Sequence, residues 1–312
     1  MINRRHIRVK VMQSVYALFQ SKSDNLTKEE KFLMRSIEEM GDLHALLLNL
    51  FVEVREMAEV KIEISKKKHL ASSEDKKPNK KFINNLAIKA ISESLSLANH
   101  LEDKKLNNWK SDSEFVRVIL NTIQESDSYE AYMNSGKTSF NEDKSFVVDV
   151  FKNIIAPNEK LADYFEDINI TWVDDIPFVN TWILKELNNL KESKPYRLGK
   201  LYKDDEDKKF VIDLFRKVVL KHQEFDEVIN DKTPNWDAER ISDIDLILIK
   251  MALSEFVYFP SIPTRVSMNE YIEISKDYSS QKSSFFINGV LDKILKEYNT
   301  EKKINKIGRG LM

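Results

Sequence analysis

The sequence predicts an all-α protein, and three observations support this fold class. Apolar residues recur at helical spacing along most of the 312 residues. Glycine and proline are scarce, with 6 and 7 residues, which argues against an all-β sandwich or a doubly wound sheet with glycine-rich turns. Charged residues make up 32% and hydrophobic residues 42% of the chain, as in ordinary globular proteins. We therefore expect a helical bundle core with additional helices.

The first predicted helix lies at the N-terminus and ends near residue 21. Apolar residues recur at helical spacing through VKVMQSVYALFQ. Arg4, Arg5 and Arg8 fall on one face at its N-terminal end, where the helix dipole disfavours cations by roughly 0.3 kcal/mol or more. Because this arrangement works against the helix, we expect the arginines to bind phosphate groups through charge-assisted hydrogen bonds. A solvated basic terminus is the alternative.

A long helical region is predicted at 22–205. Helical patterns cover 29–66, 82–101 and 115–123. Between the first two, the lysine-rich stretch near 65–81 has no periodicity and is predicted to be a mobile linker.

Two segments resemble each other at an offset of 64 residues. Lys144 to Ile155 aligns with Lys208 to Val219, and the same offset carries Trp172 onto Trp236. This alignment predicts a duplicated helical unit, with a degenerate copy at 144–190. Convergence of two amphipathic helices with similar compositions is the alternative.

Three helices are predicted after residue 241. Ser242 or Asp243 can cap the first of them, and Asp245 lies in its first turn, where the helix dipole favours an anion. The segment IDLILIKMAL is apolar almost all the way round, which predicts a buried central helix. Pro260 and Pro263 bracket the turn that follows.

The second of these helices follows that turn, and a polar loop, SSQKSS, separates it from the last. From Phe286 to Tyr298 apolar residues recur every four positions. Because this period continues through Asn-Gly, we predict a helix with Gly289 at a close helix contact rather than a hairpin. After this helix, a flexible basic tail is expected at 299–312.

Three motifs lie in register in these helices. They are AL-x-E ending at Glu255, P-x-x-V-x-x-NE from Pro263 to Glu270, and F-x-NGVLD from Phe286 to Asp292. Together they resemble the C-terminal half of the bacterial NusB family. The resemblance implies an all-α, non-enzymatic RNA-binding protein of transcription antitermination. It also implies a core at 1–21 and 206–298, with a helical insertion at 22–205 between the two parts. The expected partners of the protein are the boxA element of single-stranded ribosomal leader RNA, the small-subunit ribosomal protein NusE and, indirectly, other Nus factors and RNA polymerase.

The resemblance also implies an RNA-binding face formed by the first helix and the SSQKSSFF segment. Ser283 and Ser284 would donate hydrogen bonds to RNA, and Phe286 or its neighbour Phe285 would stack on an unpaired base for about 1–3 kcal/mol. Core packing is the alternative for Phe286. The residues expected to bind phosphate are Arg4, Arg5, Arg8, Arg265 and Lys282.

The surface for NusE is implied at the start of the central helix. The acidic positions expected to contact this partner are Glu239 and Asp245. Stabilisation of the first helical turn is the alternative role for Asp245. A homodimer is also left open.

Other classes of site find little support in the sequence. The chain has no cysteine, and its five histidines are dispersed without metal-ligand spacing. The segment SGKTS at 135–139 lacks the first glycine and the preceding strand of a phosphate-binding loop. We therefore expect no catalytic residue, metal or cofactor.

The N-terminus has no apolar signal region, and no run of eighteen apolar residues occurs, so a cytoplasmic protein is expected. With a net charge of −2, any affinity for RNA must come from local patches. Two other functions remain open. One is a non-catalytic RNA-binding role in ribosomal RNA maturation, and the other is a helical scaffold for protein interactions.

Overall fold

The computed structural model describes residues 1–67, 76–233 and 241–311, which form helices and turns without any β-strand. The all-α prediction is confirmed. The chain divides into two compact units. We call Ile2–Ile37 with Tyr202–Met312 the terminal unit, and Glu38–Leu201 with Met1 the central unit. Within the described ranges, no helix combines the length and the apolar character that crossing a membrane requires.

The described α-helices are numbered in chain order. They are α1 (Arg4–Ser21), α2 (Leu26–Lys66), α3 (Leu86–Ser92), α4 (Leu95–Asp103), α5 (Asn108–Ser111), α6 (Ser113–Gln124), α7 (Asp127–Asn134), α8 (Phe140–Val150), α9 (Glu159–Ile168), α10 (Ile176–Asn188), α11 (Asp205–Leu220), α12 (His222–Lys232), α13 (Asp243–Tyr258), α14 (Thr264–Tyr278) and α15 (Ser283–Thr300). A π-helical turn follows α8 at Phe151–Ile155, and 3₁₀ turns occupy Ile170–Trp172 and Gly308–Leu311.

Helix α13 forms the centre of the terminal unit and packs against α1, α11, α14 and α15. Ser242 caps it by accepting a hydrogen bond from the backbone N–H of Ile244. Every residue from Ile247 to Phe256 is buried, so the prediction of a buried central helix is confirmed.

Helix α15 continues without interruption through Asn288 and Gly289, which confirms the helical prediction for this segment. The predicted close contact at Gly289 is wrong. This glycine is exposed, and a Cβ placed on it would meet no atom within 4 Å. Its small size therefore has no packing role here.

The chain after α15 contacts the terminal unit, which differs from the flexible tail expected at 299–312. The Lys306 Nζ donates hydrogen bonds of 2.9 Å to the backbone carbonyls of Glu255 and Phe259, at the C-terminal end of α13. Burial lowers the pKa of Lys306 to about 8. These two carbonyls also accept hydrogen bonds from the backbone N–H groups of Phe259 and Ile262, so the Lys306 amine adds a second donor to each of them.

In the central unit, α8 packs against α3, α7 and α10. The side chains of Trp109, Trp172 and Trp182 are buried, as predicted for core residues. Trp236, the fourth tryptophan, lies outside the described residues.

The two similar segments begin in α8 and α11. Each of these helices also contains a buried aspartate, Asp143 or Asp207, and the two aspartates are separated by the same offset of 64 residues. Asp143 accepts hydrogen bonds from the backbone N–H of Leu86 and the hydroxyl of Tyr132, whereas Asp207 pairs with Arg4. Helix α8 changes to a π-helical turn after Val150, but α11 remains α-helical throughout. Duplication stays a prediction, and the shared buried aspartate supports it.

Candidate nucleic-acid interface

The candidate interface begins at the first turn of α1, where Asn3 caps the helix. The Asn3 side chain accepts a 2.7 Å hydrogen bond from the backbone N–H of His6. Arg5 extends from this turn to α14 and donates two hydrogen bonds of 2.9 Å to the Glu270 carboxylate. These bonds lower the pKa of Glu270 and raise that of Arg5. The Arg5 side chain is nevertheless 48% exposed, and the two bonds to Glu270 come from only its Nε and Nη2 atoms.

Arg8 lies one turn further along α1 and has a different environment. Its guanidinium group donates hydrogen bonds of 2.7 and 2.9 Å to Glu255 of α13, and the two side chains are only 3% and 0% exposed. Burial acts to lower the pKa of Arg8, but the adjacent Glu255 carboxylate makes the net shift upward. Arg8 is therefore a charged, buried link between α1 and α13.

The Glu255 carboxylate is the centre of a buried polar network. Besides Arg8, it accepts hydrogen bonds from the hydroxyls of Ser267 and Tyr271 on α14. Burial raises the pKa of Tyr271 well above its ordinary value, and the nearby carboxylate adds to that shift. The network joins three helices and so fixes the position of α1 against α14.

Arg4 occupies the outer edge of the same face. Its Nε donates a 2.9 Å hydrogen bond to Asp207, and its side chain is 38% exposed. The guanidinium carbons of Arg4 and Arg8 lie 5.1 and 5.4 Å from the centroid of the Phe210 ring. Arg4 and Arg5 thus keep partial access to solvent, whereas Arg8 does not.

The SSQKSSFF segment forms the entry to α15. Ser283 is buried, and its hydroxyl lies 2.9 Å from the hydroxyls of both Ser279 and Ser280. Ser284 and Phe286 are half-buried, whereas Phe285 is 80% exposed. Of the serines predicted to touch RNA, Ser284 is the more accessible.

Arg265 and Lys282 are both exposed, but they lie near opposite ends of α14. The 15-residue helix between them is about 22 Å long. They cannot hold one phosphate together, although both could contact a strand that runs along α14. Neither side chain has an ion pair with any residue that the structure describes.

The structure gives partial information on the expected partner surface. Asp245 is buried in the first turn of α13, and its Oδ1 has no hydrogen-bond partner among the described residues. Its neighbour Asp243 is exposed and accepts a 2.7 Å hydrogen bond from Gln20 of α1. Glu239 lies outside the described residues.

Sequence reasoning missed the network around Glu255, although one signal for it was present. A glutamate within a mostly apolar helix indicates a buried partner of opposite charge. Among the described residues, no group of three or more histidines or carboxylates is arranged to hold a metal ion.

Comparisons with known proteins identify relatives of part of the chain. Residues 179–296 match the model of the NusB family. The chain is 40% identical over 112 residues to a "Transcription antitermination protein NusB" from Salinibacter ruber, which covers 36% of this chain and 70% of that protein. Proteins of the same name from Chloroherpeton thalassium and Natranaerobius thermophilus are 38% identical over 109 residues and 43% identical over 77 residues.

These last two matches cover 35% and 25% of this chain. They span only 52% and 55% of the two relatives' own lengths. No solved structure matches the chain significantly.

Proposed function

Because this chain belongs to the NusB family, we propose that it acts in transcription antitermination as an RNA-binding protein. The similarity to the Salinibacter ruber protein carries this proposal, since 40% identity extends over 70% of a protein named for that role. The proposed RNA is a boxA-type single strand of ribosomal leader RNA, bound together with NusE. Contact with other Nus factors and RNA polymerase would follow indirectly.

The geometry supports Arg4 and Arg5 as the phosphate-binding residues of α1. Their side chains are 38% and 48% exposed, so phosphate oxygens can reach the guanidinium groups without unfolding the helix. Arg8, at 3% exposure, instead holds α1 in place through Glu255. We infer that Arg8 affects RNA binding only indirectly, because it fixes the position of α1.

The proposed face extends to the start of α15, where it includes Lys282, Ser284 and the exposed ring of Phe285. Single-stranded RNA is bound by cations that contact its backbone and by side chains that stack on or hydrogen-bond to its bases. Arg265 would contact the backbone at the other end of α14. NusE is proposed to dock at the start of α13, near Asp245 and Glu239.

The decisive experiment is a fluorescence-anisotropy titration of the full chain with boxA RNA and with a scrambled RNA of equal length. Each titration is made with and without NusE at two salt concentrations. We expect tighter binding of boxA RNA when NusE is present, with affinity falling as salt rises. Equal binding of both RNAs in the presence of NusE, or no binding, would refute the proposal.

The ion pair between Arg5 and Glu270 provides a further prediction. Glu270→Gln is expected to increase RNA affinity several-fold, because it removes a carboxylate that competes with phosphate for Arg5 and repels the RNA. Anisotropy titration at low salt measures the change, and Glu125→Gln, an exposed carboxylate of the central unit, is the matched control. An affinity equal to that of Glu125→Gln would show that Arg5 does not bind phosphate.

A further inference from the structure

The residues after α15 form a C-terminal strap, which we define as 301–311. Besides the Lys306 contacts, the backbone N–H of Ile307 donates a 3.0 Å hydrogen bond to the carbonyl of Pro260. A Cβ added at Gly310 would lie 1.9 Å from the Pro260 carbonyl oxygen. Only glycine therefore allows the strap to approach the backbone between α13 and α14 so closely.

The strap is attached beside the aromatic pair that supports Arg4. The carbonyl of Phe259 accepts from Lys306, and the Phe259 ring lies 5.3 Å from the ring of Phe210. The Arg4 guanidinium carbon lies 5.1 Å from the centroid of that same Phe210 ring. A short chain of contacts thus connects the strap to the outer edge of the α1 face.

Arg309 on the strap differs in one respect from the arginines of α1. Arg4, Arg5 and Arg8 each pair with a carboxylate, so a phosphate must compete for them. Arg309 is exposed, and within 1–67, 76–233 and 241–311 no carboxylate forms an ion pair with it.

Arg265 shares these properties and lies in the first turn of α14, five residues after the Pro260 carbonyl to which the strap is bonded. The strap therefore brings a second unneutralised guanidinium group to the α13–α14 turn. An arginine held on docked backbone loses less freedom on binding than one on a free tail.

We propose that the strap positions Arg309 to bind a phosphate of the RNA, so that the RNA-binding face continues from α1 across the α13–α14 turn. This inference rests on the proposed RNA-binding function. It assigns to the strap a sequence-independent contact, which contributes affinity and salt dependence without selecting bases.

The experiment compares how the affinity for boxA RNA depends on salt in the full-length wild type, Arg309→Ala and Gly310→Ala, each with NusE. For Arg309→Ala we expect several-fold weaker binding and a slope of log K against log salt reduced by about 0.7, as for one phosphate on a single strand. Gly310→Ala should give a similar loss, because its Cβ would collide with the Pro260 oxygen and displace the strap. Arg117→Ala, an exposed arginine of the central unit, and Gly136→Ala, whose Cβ would meet nothing within 4 Å, are the matched controls.

If Arg309→Ala binds the RNA with the same affinity and salt slope as the wild type, the inference is overturned and the proposed function is left intact. A loss in Arg309→Ala with a normal slope in Gly310→Ala would overturn the role of the docked strap. Absence of RNA binding by the wild type would instead refute the proposed function itself. Circular dichroism of each variant establishes that the helices are retained.

Discussion

Glu255→Gln is expected to lower the free energy of unfolding of the terminal unit by about 3–5 kcal/mol, because it leaves a buried guanidinium group without its counter-ion. The side chains of Arg8 and Glu255 are 3% and 0% exposed, so water cannot reach the unpaired guanidinium group and solvate it. Glu270 approaches Arg8 only to 3.7 Å and already binds Arg5. The measurement is urea denaturation followed by circular dichroism, with hydrogen exchange in α13 to assign the loss to this unit.

Glu273→Gln is the matched control for this prediction. The Glu273 side chain is 44% exposed and pairs with Lys276 on the same helix, so its loss should change stability by no more than about 0.5 kcal/mol. Replacing both Arg8 and Glu255 with apolar residues should cost less than Glu255→Gln alone, because no buried charge is then left unpaired. Equal effects of Glu255→Gln and Glu273→Gln would show that the buried pair contributes little.

The helices were predictable from the sequence because their signals are local. The segment IDLILIKMAL is apolar almost all the way round, and a helix with that pattern is expected to be buried. Helix α13 accordingly has buried residues from Ile247 to Phe256. The spacing of apolar residues from Phe286 to Tyr298 likewise outweighed the turn signal of Asn-Gly, and α15 continues through it.

The pairing of charges was not predictable, because it depends on residues that are distant in sequence. Arg8 and Glu255 are 247 positions apart, and nothing near Arg8 indicates that it is buried. From the sequence alone, Arg4, Arg5 and Arg8 are equivalent members of one basic face. The structure distinguishes them by exposure, and this determines which of them are proposed to bind phosphate.

The docked strap was missed for a related reason. A lysine-rich C-terminal segment resembles a solvated tail, because charged residues usually remain in water. Its attachment depends on Lys306, which donates hydrogen bonds to the backbone carbonyls of Glu255 and Phe259, and on Gly310, which fits against Pro260. Every residue has a backbone carbonyl, so the sequence does not indicate which carbonyls accept hydrogen bonds from the strap.

The double substitution Arg4→Ala with Arg5→Ala is expected to weaken binding of boxA RNA about tenfold or more and to reduce the salt slope by about 1.4, the value for two phosphates on a single strand. The double variant Lys110→Ala with Arg117→Ala removes the same charge from exposed positions of the central unit and should change neither quantity appreciably. Anisotropy titrations in the presence of NusE measure both. Thermal unfolding checks the fold, since Asp207, with a side chain 8% exposed, loses its partner.

Arg4→Lys with Arg5→Lys separates charge from geometry. Lysine keeps the positive charge but cannot make the paired hydrogen bonds of a guanidinium group. If Arg4 and Arg5 contact phosphate groups, the lysine variant should keep most of the salt slope and lose only part of its affinity for boxA RNA. If the alanine double variant binds as tightly as the wild type, Arg4 and Arg5 serve only their internal partners, Asp207 and Glu270, and the RNA must bind elsewhere on the terminal unit.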